Sequence, residues 1–387
     1  MKNILYFTEV SPFPIHGGEE IRRYGILKAL SASGYRVHAI IGNKNKTNLD
    51  HFKIKNVSYY EFNQKSDKLN IIFRYFKIFK KNKKLMPLIK KLVANEKIDI
   101  AFLDCYFIGQ YISFFKNLKI PVVLGTENSQ SELTIKRPDK KFIKKTEKYT
   151  NFLLQYFHER FFFNKADAVI VVSDNDYLFH KKFVSEKKLH IIPNFLDFLR
   201  YHPLGKKNNY IVMTGSFDAY HNKIGLTWFL ENVWDDELSK LTKCIIAGDK
   251  SRKLLDMIMI KSKHKNLKNV YAVGKVENIN KYISQAKISI IPLLHGSGTR
   301  IKILEALALK TLVISTSKGA EGIDHENSII IANSARDFKN EILNVMNGNN
   351  DNYYQTKIKN AYQIALKKYS LEVNQIKIDK IIKNCCL

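Results

Sequence analysis

The run His295-Gly296-Ser297-Gly298-Thr299-Arg300-Ile301-Lys302-Ile303-Leu304-Glu305-Ala306 places two glycines, two cations and a carboxylate in one short segment. It follows an apolar strand, Ile288–Ile291, and opens a helical stretch. Gly296 and Gly298 let a ligand approach the backbone closely. A helix amino terminus attracts anions through its open N–H groups and dipole. Arg300 and Lys302 add fixed positive charge suited to a diphosphate. Glu305 can accept hydrogen bonds from vicinal hydroxyls such as those of a ribose. A Gly-rich turn before a solvated, basic helix start reads the same way, so this run needs support from elsewhere in the chain.

A second candidate lies near the start. Gly17-Gly18 follows the strand Asn3–Phe7 and precedes a helix at Glu19–Ser33. It is either a loop closing over phosphate and acceptor or a turn that needs positive φ. Arg22 and Arg23 follow one turn later and face either a cleft or water, since adjacent helical residues do not point the same way.

The elements that must position these residues alternate. Asn3–Phe7, Val37–Ile41, Asp99–Leu103, Pro121–Leu124, Ala168–Val172 and His190–Ile192 read as strands with helical stretches between them. A second series runs Tyr210–Thr214, Cys244–Ala247, Val270–Ala272, Ile288–Ile291 and Leu312–Ser315. Such βαβα order predicts an α/β fold of two doubly wound, Rossmann-like domains facing across a cleft. The expected domains are residues 1–197 and 210–365. The polar segment Asp197–Asn209 reads as a linker, and the Lys-rich tail Tyr353–Leu387 as helical. Ligands of such sheets sit at the carboxyl ends of the strands.

Composition narrows the function. Lys and Arg outnumber Asp and Glu by 64 to 36, a net charge of +28. That excess favours anionic partners: lipid head groups, nucleic acid or phosphorylated small molecules. No nucleic-acid module is recognisable, which disfavours a nucleic-acid binder. Cys105, Cys244, Cys385 and Cys386 have no spacing for zinc or a disulfide framework. The opening MKNILYFTEV reads as a strand rather than a signal peptide. No apolar run of about 18 residues suggests a membrane span, and a reducing cytoplasm is the expected compartment. Abundant Lys, Asn and Ile suit an AT-rich bacterial genome.

The 295–306 segment resembles the donor-binding signature of GT-B glycosyltransferases, specifically glycosyltransferase family 4. Ile211–Phe217 with Asn222-Lys223 resembles that family's second-domain strand and phosphate loop. Trp228-Phe229-Leu230 and Trp234, Ala247-Gly248-Asp249, Val273–Val276, Ala286–Pro292, Lys310–Thr316 and Gly319–Gly322 follow in the family's order. The first half resembles it through Pro14–Gly18, Val169–Ser173 and Ile192-Pro193-Asn194. Tyr369-Ser370-Leu371 resembles the point where the last helix, about 366–387, crosses back to the first domain.

The resemblance implies retaining transfer of a sugar from a nucleotide-sugar without metal or other cofactor. Glu305 would then hold the ribose. Arg300 and Lys302, with Lys223 and Gly215, would hold the diphosphate and stabilise the charge of the departing phosphate. Gly17 and Gly18 would close over it. Gly296, Ser297, Gly298 and Thr299 would contact sugar and phosphate, and Gly274 to Val276 the nucleobase.

Two positions depart from the family pattern. Ser297 stands where the first Glu of Glu-x7-Glu is usual. Glu127-Asn128 stands where His-Asn or His-Asp is usual. Glu127 is either a group near the anomeric carbon, an acceptor-side base, or a plain loop carboxylate or cap. Asp174-Asn175-Asp176 mimics the metal-binding Asp-x-Asp of the other glycosyltransferase architecture, GT-A, but a helix capped by Ser173 with Asp176 at its third position is preferred.

Basic, aromatic-rich stretches at Lys68–Lys97 and Lys136–Lys148 suit an anionic membrane surface. The expected partners are a nucleotide-sugar, a glycan or lipid-linked glycan acceptor and the inner face of a bacterial plasma membrane. The expected role is surface polysaccharide synthesis. Rivals are a non-catalytic GT-B partner subunit and a sugar-nucleotide epimerase.

Overall fold

The computed structural model describes residues 1–15, 17–42, 49, 52–62, 81–82, 85–136, 142–204, 206–261, 267–296 and 300–386. The chain divides into two compact units, Met1–Asn194 with Leu371–Leu387, and Phe195–Ser370. Each is a parallel sheet with helices, as the alternating pattern predicts.

In the first unit the strands are β1 (Asn3–Thr8), β2 (Arg36–Gly42), β3 (Val57–Phe62), β4 (Ile100–Asp104), β5 (Val122–Gly125), β6 (Ala168–Val171) and β7 (Leu189–Ile191), in the order β3-β2-β1-β4-β5-β6-β7. In the second they are β8 (Asn208–Thr214), β9 (Lys243–Ala247), β10 (Val270–Gly274), β11 (Ala286–Ile291), β12 (Leu312–Ser315) and β13 (Ile330–Ile331), in the order β10-β9-β8-β11-β12-β13. The central strands β1, β4, β5, β11 and β12 are apolar runs buried almost throughout, because helices cover both faces of a parallel sheet.

The helices that carry the argument are α1 (Gly18–Ala32), α2 (Gln130–Lys136), α3 (Phe142–Phe162), α4 (Asp174–His180), α5 (Tyr220–Asn232), α6 (Ile301–Ala308), α7 (Asp351–Tyr369) and α8 (Leu371–Cys385). Leu5, Leu103, Leu124, Phe115 and Phe163 centre the first core. Met213, Phe229, Trp234 and Phe338 centre the second. Trp234 is fully buried, and its indole N–H donates to the Lys268 carbonyl at 3.1 Å. That bond is what makes a buried indole tolerable.

Three differences from the sequence reading have physical reasons. Strand β3 was not foreseen: it is an edge strand, half-exposed, with polar Ser58 and Glu61 breaking the apolar run. The two-residue β13 is too short to carry any pattern. The segment 197–209, read as a linker, falls within the second unit, and its described residues are tied into that unit. Asn280 donates to the Arg200 carbonyl at 3.2 Å, and Lys207 Nζ donates to the Ser284 carbonyl at 2.6 Å and to Thr311 Oγ1 at 2.7 Å. Polar residues hide a packed segment from a hydropathy reading when their polar ends find backbone partners.

The tail is two helices. They break at Ser370, which is extended. Helix α8 is tied to the first unit by Tyr35, whose hydroxyl donates to Asp379 Oδ1 at 2.7 Å. Leu196 and Ser370 form a parallel bridge within the second unit, and the Leu196 N–H donates to the Tyr369 carbonyl at 2.8 Å.

In each sheet the winding direction reverses once, between β1 and β4 and between β8 and β11. The carboxyl ends of those strands are where such folds bind ligands.

Candidate functional site

In the second unit the site begins at Gly215, directly after β8, with φ +145°. A Cβ there would lie 2.7 Å from Asn222 Nδ2 and 3.0 Å from Lys302 Nζ, so glycine admits both groups. Lys302, in the first turn of α6, donates to the Thr214 carbonyl at 2.9 Å and to Asn222 Oδ1 at 2.6 Å. Asn222, on α5, donates in turn to the Ser216 carbonyl at 2.8 Å.

Gly248 follows β9 with φ +139°, and a Cβ on it would lie 1.9 Å from the Gly215 carbonyl oxygen. The two strand ends therefore pack backbone to backbone. Gly248→Ala should destabilise the protein by on the order of 3 kcal/mol, combining backbone strain with overpacking. Urea unfolding measures it; an unchanged midpoint would show that the loop yields without cost.

Gly296 has φ +120°, and a Cβ on it would lie 2.5 Å from Arg300 Nη2. The largely buried Arg300 guanidinium thus folds back over Gly296. Arg300 is also the N-cap residue of α6, which has no side-chain cap. Glu305 lies one turn beyond Lys302, and the Tyr201 hydroxyl donates to its Oε1 at 3.4 Å.

The electrostatics follow from crowding like charges in a dry place. Burial, then the nearby Arg300, pushes Lys302 down to about 7, with Glu305 opposing. Burial lowers Arg300 too, and Glu321 opposes it. Burial and both cations push His221 down to about 4. Burial lifts Glu305 to about 7, against the Tyr201 hydrogen bond, Lys302 and Arg200. Cations held in so dry a place are relieved by a polyanion.

The other expected donor residues spread around this centre. Gly274 ends β10 with φ +79°; its N–H donates to Ser251 Oγ at 3.0 Å and its carbonyl accepts from the Gly248 N–H at 2.8 Å. Val276 is half-buried just beyond it. Lys223 is exposed on the first turn of α5, one residue past the Asn222 that meets Lys302. Ser297, Gly298 and Thr299 lie outside the described residues. Tyr201 and His221 were missed from sequence: one sat in the supposed linker, and the other has no spacing that marks it.

In the first unit, Gly17 is the N-cap of α1 with φ −130°, which is extended backbone. The positive-φ alternative is thereby corrected. A Cβ on Gly17 would meet only the mobile end of Glu20, at 2.6 Å. No side chain caps α1, and Gly18 begins it.

Arg22 and Arg23 do not diverge into cleft and water. Both are almost fully buried. Arg22 Nη1 donates to Asn194 Oδ1 at 3.1 Å and to the Ile192 carbonyl at 3.5 Å. Arg23 Nε donates to Thr8 Oγ1 at 2.9 Å, Nη1 donates to Glu19 Oε2 at 3.4 Å, and Nη2 pairs closely with Glu127 Oε1. Long side chains let neighbours on one helix curl into the same polar spot.

Tyr6 donates to Asp104 Oδ2 beside them. Asp104 ends β4, opposite Gly125 of β5, and a Cβ on Gly125 would lie 2.7 Å from Asp104 Oδ1. Burial lifts Glu127 to about 7; Arg23 and Arg22 oppose this, while Glu19 and Asp104 add to it. Glu127 is therefore a carboxyl that titrates near neutrality at the carboxyl ends of the strands. A plain exposed loop carboxylate would not do so.

Two family models match the chain: "Glycosyltransferase Family 4" over residues 16–199 and "Glycosyl transferases group 1" over residues 208–348. The chain is a GT-B glycosyltransferase resembling family 4. An uncharacterized 44.6 kDa protein in the cps region of Klebsiella pneumoniae is 24% identical, covering 96% of this chain and 95% of that protein. Sucrose-phosphate synthase from Thermosynechococcus elongatus has the same fold, with TM-score 0.73, 15% identity and 99% coverage of both chains. So does Anabaena Alr3699/HepE, solved in complex with UDP and glucose, with TM-score 0.68, 14% identity, and coverage of 99% of this chain and 100% of that one.

The glycosyltransferase's Asp174-Asn175-Asp176 is a helix start, as preferred from sequence. Ser173 Oγ accepts from the Asp176 N–H at 3.3 Å, and Asp176 is buried. Among the described residues no group of three or more His, Cys, Asp or Glu could hold a metal ion. Among them, too, no helix is long and apolar enough to cross a membrane.

Proposed function

We propose that this glycosyltransferase moves a sugar, with retention, from a nucleotide-sugar to a glycan or lipid-linked glycan during bacterial surface polysaccharide synthesis. The observation that carries the donor half is the cluster of buried Lys302 and Arg300 with a neutral His221 beside them, around Gly215 and Gly296. A diphosphate supplies the missing negative charge there. Glu305 sits one helical turn away, within reach of a ribose. As the glycosidic bond breaks, charge builds on the leaving phosphate, and preorganised cations stabilise that state more than the ground state. The UDP held by Alr3699/HepE supports a nucleotide donor. The cps-region relative supports capsule-type polysaccharide.

Glu127 serves the sugar-transfer end of the reaction, as a carboxylate that offsets positive charge at the anomeric centre or takes the acceptor's proton. No metal or other cofactor enters this mechanism. The basic stretches 68–97 and 136–148 dock the protein on the inner face of the membrane; residues 68–80, 83–84 and 137–141 among them lie outside the described residues.

Release of nucleotide from UDP-glucose, UDP-galactose, UDP-N-acetylglucosamine, GDP-mannose and dTDP-rhamnose tests the donor half, with and without cell-envelope lipid extract. Turnover of at least one, lost in Glu305→Ala, is expected. No binding of any would favour the non-catalytic partner reading, and interconversion of sugars without acceptor would favour the epimerase. Sedimentation with anionic liposomes at low salt tests docking.

A further inference from the structure

We propose that Glu159 and Asp176, two buried carboxyl groups behind the Glu127 loop, are positioning residues for Glu127. The proposal rests on the catalytic role given to Glu127 above. Glu127 lies between β5 and α2, in a loop pinned on both sides. Before it, the Thr126 N–H and Oγ1 both donate to the Ile170 carbonyl, at 2.9 and 3.1 Å. After it, the Ser129 N–H donates to Asp176 Oδ1 at 2.7 Å. Ser129 Oγ lies 3.2 Å from His180 Nδ1, which is also 2.8 Å from the Asp176 carbonyl. The Ser131 N–H donates to Glu159 Oε1 at 3.4 Å, and its hydroxyl donates to Oε2.

A helix normally satisfies its first N–H groups with its own cap side chain. Here the hydroxyl of Ser129, just before α2, is turned to His180, and the work passes to Glu159 from α3 and Asp176 from α4. Glu159 and His180 are fully buried and Asp176 nearly so. Burying carboxyl groups is costly unless they hold partners. Those partners are two serines within four residues of Glu127, so the pair fixes the loop that presents Glu127 to Arg23. The groups facing Glu159 are Ser131 on α2 and Asp176 and His180 on α4, with His180 Nε2 at 4.0 Å. Burial lifts Glu159 to about 8, so near neutrality it is mostly a neutral acid and glutamine is a fair replacement.

The test follows release of the nucleoside diphosphate from the five nucleotide-sugars above across pH 5.5–9, alongside UDP affinity and melting temperature. The proteins are full-length wild type, Glu159→Gln, Glu159→Ala, Ser131→Ala and Glu127→Gln. Glu159→Ala and Ser131→Ala should lower kcat by about tenfold or more, the scale of a slightly misplaced group, and move the pH limb near 7. UDP affinity should hold, and Glu159→Gln should retain the wild-type rate and limb. If Glu159→Ala does not fold, Ser131→Ala, which loses only a hydroxyl, decides. A wild-type rate and limb in Ser131→Ala would overturn the proposal, whatever the melting temperature. A wild-type limb in Glu127→Gln would instead remove the catalytic role of Glu127, and the positioning role would fall with it.

Discussion

Lys302→Ala should lower kcat/KM for the donor by about 10²- to 10³-fold, the usual scale for losing one preorganised charge from a transition state. Its ammonium sits between Thr214 and Asn222 and is too buried for water to replace. Arg300→Ala should lose a comparable amount, and the double variant more than the product of the two, because removing Arg300 alone relieves Lys302 and masks part of its own loss.

The same crowding gives a pH signature. Burial and Arg300 push Lys302 down to about 7. A bound diphosphate raises it, so nucleotide binding takes up a proton wherever the free amine is neutral. Affinity for UDP should then be full below pH 7 and fall by about tenfold per unit above it, until the pKa of the complex is reached. Calorimetry at pH 8 in buffers of different ionisation enthalpy reads the proton directly. Pure electrostatic steering, with no proton uptake and a flat pH dependence, would contradict the buried-amine picture.

The second large effect concerns Glu127. Glu127→Gln should lower kcat by about 10²- to 10⁴-fold, the range for losing an acid–base or charge-stabilising carboxylate. UDP affinity should hardly change, because Arg300 and Lys302, the cations proposed to hold the diphosphate, belong to the other unit. The role given to Glu127 needs the ionised form. Its pKa is raised to about 7, so kcat should rise with pH through 7 in the wild type. The residual activity of Glu127→Gln should lack that limb. A rate that falls through 7 would make Glu127 a proton donor instead, and a flat profile would reduce it to a structural partner of Arg23.

The fold was legible because doubly wound sheets write themselves as apolar strands spaced by amphipathic stretches. Elements whose signals are weak for a reason escaped: β3 at an edge and β13 with two residues. The candidate donor loop was legible through Gly296, Arg300, Lys302 and Glu305, where spacing along one turn and one helix start fixes proximity, whereas the approach of Gly215 to Lys302 is tertiary. Asn222 was quoted in a motif, but its bond to Lys302 depends on the approach of α5 and α6, far apart in sequence. Asp104, His221 and Tyr201 had no pattern at all.

Sequence by itself determined the repeated α/β plan, the family resemblance and the candidate residues Gly296, Arg300, Lys302 and Glu305. These are encoded by hydrophobic period and short-range spacing, which survive without coordinates. Tertiary structure alone decided the charge states. Arg22 and Arg23 are buried together, Glu127 and Lys302 each titrate near neutrality, and Glu159 and Asp176 stand behind the Glu127 loop. A side chain's proton affinity is set by how much water it loses and which charges surround it, and both depend on segments a hundred residues apart meeting in space.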